Sequence, residues 1–400
     1  MRIETIHKKQ ITFVFKNIIG GVATMNFGII EQAQLYKYFE VRVILITKEL
    51  DNANRINLFG NNLEIEIFKY SDFDNYHYVL SSLKELIDLK IGYLVTNDGL
   101  ELDCIKYLGT DQVVLNIVHD LYNLKVALNY SEVIDYFICH TVEISSLLRS
   151  DPDLKKYVSY LPYGVEVSNN ILKSNSTLKI VSLSRLVEAK GVLKLIKIEN
   201  ELLKMGIYVE WLILGGGPSK TDLLKQWKYK TNVSFLQPNN DELKLILSDS
   251  DIFISLSEFE GYGISLLEAM SFGLVPIITK LPIGIHSLLP SNCGMVVEQV
   301  NFREIADFIT NLGLNKSYLM KLKIKSKEFV EETYSSNHTG LEYAKFFSKE
   351  LLKRTEGTKK DRISNFGLFD KRYIPNSLTY FFKRTKFGII ENFKKVQKKI

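Results

Sequence analysis

The 400-residue chain predicts an α/β protein: two Rossmann-like, doubly wound parallel-sheet domains facing across a cleft, followed by a basic amphipathic C-terminal tail. Three observations carry this. Apolar runs of strand length alternate with amphipathic stretches through residues 10–330. The rhythm breaks once, at the polar stretch Glu166–Thr177, and then restarts. The chain is also long for a single hydrophobic core.

In the first half, strands are expected at Gln10–Phe15, Val41–Thr47, Leu63–Phe68, Ile91–Thr96, Val113–Val118, Tyr136–Cys139 and Val158–Leu161. Most are continuously apolar, as parallel strands covered on both faces require. Helical patterns at Ile29–Tyr38 and Val79–Leu89 separate them. In the second half the strands are Lys179–Leu183, Val209–Leu214, Val233–Leu236, Asp251–Leu256, Val275–Ile278 and Met295–Val297. Helices fall at Leu193–Lys204, Asp241–Leu247 and Phe302–Leu312. The expected division is an N-terminal domain over 1–168, a linker over 169–176 and a C-terminal domain over 177–335. A helix returning toward the N-domain then covers 336–352, and the tail 353–400.

Hydrophobic residues at 46% and charged residues at 24% are ordinary for a soluble globular protein. Lys16 interrupts the early apolar run, so no signal peptide is expected, and no window approaches the roughly 18 apolar residues that span a bilayer. Cys104, Cys139 and Cys293 are too few and too scattered for a disulfide framework or a zinc site. They read as buried thiols in a reducing cytoplasm. The net charge of +5 is uneven: residues 351–400 hold 14 Lys/Arg against 4 Asp/Glu, leaving the body mildly acidic.

In doubly wound sheets, ligands bind beyond the carboxyl ends of the strands. Four groups fall there. Glu260 sits in a glycine-flanked loop after Asp251–Leu256, and Glu268 lies one to two turns into the next helix. Gly261 and Gly263 leave backbone N–H groups around Tyr262 uncovered. Two hydroxyl acceptors beside a helix N-terminus suit a ligand that carries sugar hydroxyls next to phosphate. Arg185 and Lys190, after Lys179–Leu183, can both point at one diphosphate, or form a solvated loop. Gly20-Gly21, after the first strand, permits close phosphate approach, or is a plain turn. His119, followed by Asp120, can bond a substrate hydroxyl or be structural, and Asp98 is a weaker candidate.

Other segments only imitate motifs. Gly215-Gly-Gly-Pro-Ser-Lys-Thr221 lacks the glycine before lysine that a P-loop needs. Asp249-Ser-Asp251 precedes a strand and Asp151-Pro-Asp153 lies in a turn, so both read as structural, and no metal ligand set is assigned.

Ser184-Arg-Leu-Val-Glu-Ala-Lys-Gly191, Gly215-Gly-Gly-Pro218 and Glu260-Gly-Tyr-Gly-Ile-Ser-Leu-Leu-Glu268 together resemble three elements of the retaining GT-B glycosyltransferases of family 4. These elements are Arg-Leu-x-x-x-Lys-Gly, Gly-x-Gly-Pro and Glu-x7-Glu. The likeness covers about 1–350 and is densest over 178–275. It implies an N-terminal acceptor domain and a C-terminal nucleotide-sugar domain, with no metal or other cofactor and a UDP- or GDP-sugar donor. It implies that Arg185 and Lys190 hold the donor diphosphate with Gly20 and Gly21 closing on it. Glu260 and the amides near Tyr262 and Gly263 would hold the transferred sugar, Glu268 the ribose, and His119 would face the sugar. Domain closure would then exclude water. A sugar-nucleotide epimerase or phosphorylase of the same fold, or a non-catalytic sugar-nucleotide-binding membrane protein, is the alternative.

The chain departs from the family pattern twice. Pro162-Tyr-Gly-Val-Glu166 stands for Pro-Asn-Gly-Val-Asp. Leu281-Pro-Ile-Gly-Ile-His286 replaces a Gly-Gly-x-x-Glu segment.

From Ser377, helical periodicity gathers Leu378, Phe382, Ile389, Phe393, Val396 and Ile400 within about 60° of arc. Lys383, Lys394, Lys395 and Lys398 lie opposite. Residues 377–400 are therefore expected on an anionic membrane surface, with packing on the protein itself as the alternative. The single apolar stripe argues against nucleic acid. The expected place is the inner face of the cytoplasmic membrane, with a glycan or lipid-linked glycan acceptor in surface polysaccharide or lipopolysaccharide synthesis.

Overall fold

The computed structural model describes residues 8–17, 21–48, 63–290, 292–354, 370 and 372–385. The chain forms two compact units. One comprises residues through 139, 145–160 and from 343 onward; the other comprises 140–144 and 161–342.

The first unit is a parallel seven-stranded sheet: β1 (Lys9–Lys16), β2 (Phe39–Lys48), β3 (Glu64–Tyr70), β4 (Gly92–Thr96), β5 (Val113–Val118), β6 (Tyr136–Cys139) and β7 (Val158–Tyr160). Their order is β3-β2-β1-β4-β5-β6-β7, so the winding reverses between β1 and β4. Phe13, Val14, Phe15, Leu94, Val95, Leu115 and Ile117 are fully buried, as the continuous apolar runs demand. Between strands run α1 (Gly21–Gln32), α2 (Tyr76–Ile87), α3 (Gly99–Leu108), α4 (Leu121–Asn129) and α5 (Val142–Arg149).

The first helix is not the expected Ile29–Tyr38. It starts eight residues earlier and stops before Gln34, whose φ of 49° lies in the left-handed region; a short 3-10 turn, Leu35–Lys37, follows. The polar Thr24 and Asn26 interrupt the apolar pattern over its first turns. Asn26 is buried, and its amide donates to Val22 O at 2.8 Å and Asn97 Oδ1 at 2.9 Å.

The second unit repeats the plan with β8 (Lys179–Leu183), β9 (Glu210–Leu214), β10 (Val233–Leu236), β11 (Ile252–Ser255), β12 (Val275–Thr279) and β13 (Met295–Val297). The order β10-β9-β8-β11-β12-β13 reverses between β8 and β11. Its helices are α6 (Leu195–Lys204), α7 (Lys220–Gln226), α8 (Asn240–Ser248), α9 (Ile264–Ser271), α10 (Ile285–Leu288), α11 (Phe302–Leu314) and α12 (Lys316–Tyr334). Last comes α13 (Ser336–Phe347), which belongs to the second unit up to Glu342 and to the first from Tyr343. One core cluster joins the sheet to α6, α11 and α12. Trp211 and Trp227 meet edge to face in it at 5.5 Å, and Trp211 Nε1 donates to Glu199 Oε2 at 2.7 Å. Each such ring contributes on the order of 3 kcal/mol or more against truncation to alanine.

The tail is described to residue 385. A helix over 376–385 belongs to the first unit, held there by one face. Asn376 Oδ1 accepts from Asn75 N at 2.6 Å, Lys383 Nζ donates to Asp370 Oδ1 at 2.6 Å, and Tyr380 stands edge-on to Phe73. Leu378, Phe381 and Phe382 are left 47%, 63% and 41% exposed. The expected stripe beyond it, Ile389 to Ile400, lies outside the described residues.

Candidate functional site

The carboxyl ends of β8, β9, β11 and β12 place most of the candidates. Past β8, Leu186 N donates to Gly216 O at 2.8 Å, and Ser219 N donates to Leu186 O at 2.9 Å. The turn after β9 thus packs backbone to backbone against the Arg185 segment. At Gly217 (φ 154°) a Cβ would stand 2.5 Å from Leu186 O, so the turn tolerates no side chain there. Its role in the fold is to brace Arg185. That side chain is exposed, and no ion pair or hydrogen bond engages its guanidinium among the described residues.

Lys190 is fixed differently. Gly191, at φ 67°, lies so close to β11 that a Cβ would come within 2.1 Å of Leu256 O. Glu258 N donates to Ala189 O at 2.8 Å, tying the two loops together. The outcome is an ion pair: Lys190 Nζ to Glu260 Oε2 at 2.6 Å, each side chain 15% exposed. Lys190 also donates to Phe259 O at 3.1 Å. The other carboxylate oxygen of Glu260 accepts from Ser257 Oγ at 2.8 Å, and Ser257 Oγ lies 3.0 Å from Ser255 Oγ. Glu260 is therefore oriented from two sides. Two residues expected to touch different parts of one ligand are paired with each other.

Glu268 is the fifth residue of α9, as the spacing required. It keeps partial solvent access, yet atoms crowd it closely enough that burial raises its carboxyl to about 7. No hydrogen bond engages that carboxyl among the described residues. Tyr262 is buried, and its hydroxyl donates to Tyr163 O at 2.7 Å. Its ring stands edge-on to that of Tyr163. Tyr262 therefore supports the loop with its side chain, and only its backbone is offered to a ligand. Tyr163 is also where the sequence leaves the Pro-Asn-Gly-Val-Asp pattern, so the departure coincides with a packing partner for this loop. Gly263 caps α9 in the left-handed region, and the first amides of the helix have no partner within it.

The first unit has its own group at its winding reversal. His119, past β5, is buried, with Nε2 2.7 Å from Asn97 Oδ1. Asn97 in turn donates to Val14 O at 3.0 Å. Asp98 caps α3 and pairs with Lys16, and Asp120 caps α4 by accepting from Asn123 N at 2.8 Å. Both aspartates have local structural work. Glu101 is buried beneath them, its carboxyl pushed up to about 8 by burial and then by Asp98. Gly21 opens α1; Gly20 lies outside the described residues.

Asn97 and Ser257 carry site contacts that the sequence does not single out. Only the Ser257/Glu260 spacing of three offered any local signal.

Asp249 and Asp251 are engaged in ion pairs. Asp249 takes Lys173 at 2.6 Å and Lys179 at 2.5 Å, and buried Asp251 takes buried Lys323 at 3.1 Å. Among the described residues no group of three or more His, Cys, Asp or Glu side chains is gathered for a metal.

Two parallel, doubly wound sheets with this loop set define the GT-B fold. Residues 166–329 match the family described as Glycosyl transferases group 1. The chain is 28% identical over 180 residues to WcaL, a provisionally assigned colanic acid biosynthesis glycosyltransferase of Escherichia coli (strain K12). That stretch is 42% of this chain and 44% of the relative, so the chain spans less than half the length of this curated relative. An uncharacterized glycosyltransferase of Haemophilus influenzae is 24% identical over 81% of this chain and 96% of its own length. Among solved structures, Anabaena HepE in complex with UDP and glucose superposes with a TM-score of 0.70. It is 15% identical and covers 85% of this chain and 99% of its own. The family match and these neighbours support a GT-B glycosyltransferase.

Proposed function

We propose that the chain is a retaining glycosyltransferase that moves a hexose or N-acetylhexosamine from a nucleoside diphosphate sugar to a hydroxyl of a saccharide or lipid-linked saccharide. One observation carries the reading. Beside the winding reversal of the second sheet, a buried-edge cation, Lys190, and an oriented carboxylate, Glu260, stand 2.6 Å apart. An exposed Arg185 on the same loop and the unbonded carboxyl of Glu268 add a second cation and a second hydroxyl acceptor. In this reading Arg185 and Lys190 take the diphosphate and stabilise the charge that builds on it as the sugar–phosphate bond breaks. Glu260 takes hydroxyls of the transferred sugar, and Glu268 the ribose. The acceptor hydroxyl attacks from the face the diphosphate leaves, and a phosphate oxygen takes its proton. The donor in this reading is a UDP- or GDP-sugar, the first favoured by the structural likeness to HepE, which was solved with UDP and glucose, and the product belongs to a surface polysaccharide, as the WcaL relation suggests.

Membrane contact is the second part of the proposal. The helix over 376–385 is held by one face while Leu378, Phe381 and Phe382 remain exposed, and the tail beyond it is basic. That combination suits the anionic surface where a lipid-linked acceptor resides. No helix among the described residues is long and apolar enough to cross a membrane.

The test is a thermal-shift screen against UDP-glucose, UDP-N-acetylglucosamine and GDP-mannose with and without EDTA, followed by transfer assays. Stabilisation of about 2.7 kcal/mol is expected at a hundredfold excess over Kd. Lys190→Ala should abolish transfer. Unchanged transfer by that variant, or strict metal dependence, would overturn the reading. Flotation with anionic vesicles should capture the full chain and miss one truncated after residue 376.

A further inference from the structure

Three histidines are buried among the described residues: His119, His140 and His286. The first lies 2.7 Å from Asn97 Oδ1, and the second has Nδ1 3.0 Å from Leu161 O. His286 is different. It is 3% exposed, yet among the described residues neither ring nitrogen has a hydrogen-bonding partner. A buried polar group in that condition destabilises the fold, so its persistence calls for another role.

Its position supplies one. His286 lies on α10, in the segment that replaces the family's Gly-Gly-x-x-Glu. This segment packs directly onto the Glu260 loop: at Gly284 (φ 84°) a Cβ would stand 2.8 Å from both Gly261 O and Tyr262 O. The imidazole is close enough to the ion pair for Glu260 and Lys190 both to act on it. Burial dominates, with Lys190 opposing Glu260, and lowers the ring to about 4, so it is neutral at physiological pH. A neutral imidazole offers one N–H donor and one acceptor nitrogen, the complement of a sugar hydroxyl.

We propose that His286 is a specificity-determining residue that hydrogen-bonds the transferred sugar beside Glu260 and plays no part in holding the diphosphate. The inference rests on the nucleotide-sugar reading above. A site built to bond a hydroxyl rejects sugars that lack it or misplace it, because its own buried polar atoms are then stranded.

The test compares wild type with His286→Phe and His286→Asn. Binding of UDP, UDP-glucose, UDP-N-acetylglucosamine, GDP and GDP-mannose is measured by calorimetry, with melting of the ligand-free proteins alongside. His286→Phe should melt no lower than wild type, since it removes unpaired polar atoms and fills a similar volume. It should bind UDP or GDP as wild type does. Its affinity for whichever nucleotide sugar binds wild type best should fall about tenfold or more, the worth of one hydrogen bond lost in a buried site. His286→Asn, which keeps a donor and an acceptor, should recover part of that loss. Equal preference for sugar nucleotide over bare nucleotide in wild type and His286→Phe would overturn the inference while leaving the transferase reading intact. Loss of bare-nucleotide binding in His286→Phe would also overturn it. Failure of wild type to bind any of the three nucleotide sugars would overturn both.

Discussion

Replacing Glu268 by glutamine separates the cost of burying this carboxylate from its use. Burial raises the group from 4.5 to about 7 in the folded chain. Between those values the folded state binds a proton that the unfolded state has released, so stability falls as pH rises through the window and levels off above 7. At about 1.36 kcal/mol per pH unit, the full shift amounts to at most about 3 kcal/mol. Glutamine fills the same space and cannot ionise. In urea unfolding, Glu268→Gln should therefore exceed wild type by up to about 3 kcal/mol at pH 8, with the gain disappearing below about pH 4.5. The same variant should bind UDP more weakly than wild type, and the ratio of the two affinities should widen as pH rises through about 7 and the wild-type carboxylate ionises. A pH-independent stability difference would refute the burial argument. An unchanged affinity ratio would refute the assignment to the ribose.

Glu260→Gln removes the carboxylate that occupies Lys190, so UDP should bind several-fold more tightly while sugar transfer is lost; weaker UDP binding by calorimetry would contradict the shared-site arrangement. Gly191→Ala forces a Cβ into Leu256 O at a φ of 67° and should cost about 2 kcal/mol or more in thermal or urea unfolding. Wild-type stability in that variant would show that the Lys190 loop does not need its tight approach to β11. Lys323→Ala removes the buried cation paired with Asp251, leaving that carboxylate its hydrogen bonds from Asn175 Nδ2 and Lys179 N, and should cost about 3 kcal/mol in urea unfolding. A loss under about 1 kcal/mol would mean that the pair is not desolvated.

The strands were the most legible part of the chain. β5, β6, β8, β10 and β13 begin and end at the expected residues: β5, β6 and β8 because strands covered on both faces leave largely apolar runs, and the half-buried edge strands β10 and β13 because short apolar runs there end at polar or glycine flanks. Helix starts were harder to read. α6 begins at Leu195 instead of Leu193, because Gly191 in the left-handed region first turns the chain through two short 3-10 segments. At the site, Glu260 and Glu268 could be located from local spacing alone, since a glycine-flanked loop running into a helix fixes both. The Lys190–Glu260 pair could not be, because it joins residues seventy apart in sequence through the adjacency of β8 and β11. His286 had no sequence signal beyond standing in a segment that departs from the family pattern; its lack of partners is a property of packing.

The adjacency of β8 and β11 also explains why the site depends so heavily on glycine. Ile180 and Val181 pair in register with Ile252 and Phe253, so the loops leaving these strands emerge side by side where the winding reverses. Helices leave the sheet in opposite senses at that point, and nothing from the regular elements covers the gap. The loops must cover one another, and here they do so by main-chain contact: Gly191 against Leu256, Gly217 against Leu186, and Gly284 against Gly261 and Tyr262. A side chain at any of these positions would push apart loops that meet here main chain to main chain. The tight backbone contacts set Lys190 against Glu260 before any ligand arrives. A diphosphate bound next to a hydroxyl-bearing sugar would then meet cation and acceptor already side by side, and the remaining cost of binding is to draw Lys190 off Glu260, the cost that Glu260→Gln removes.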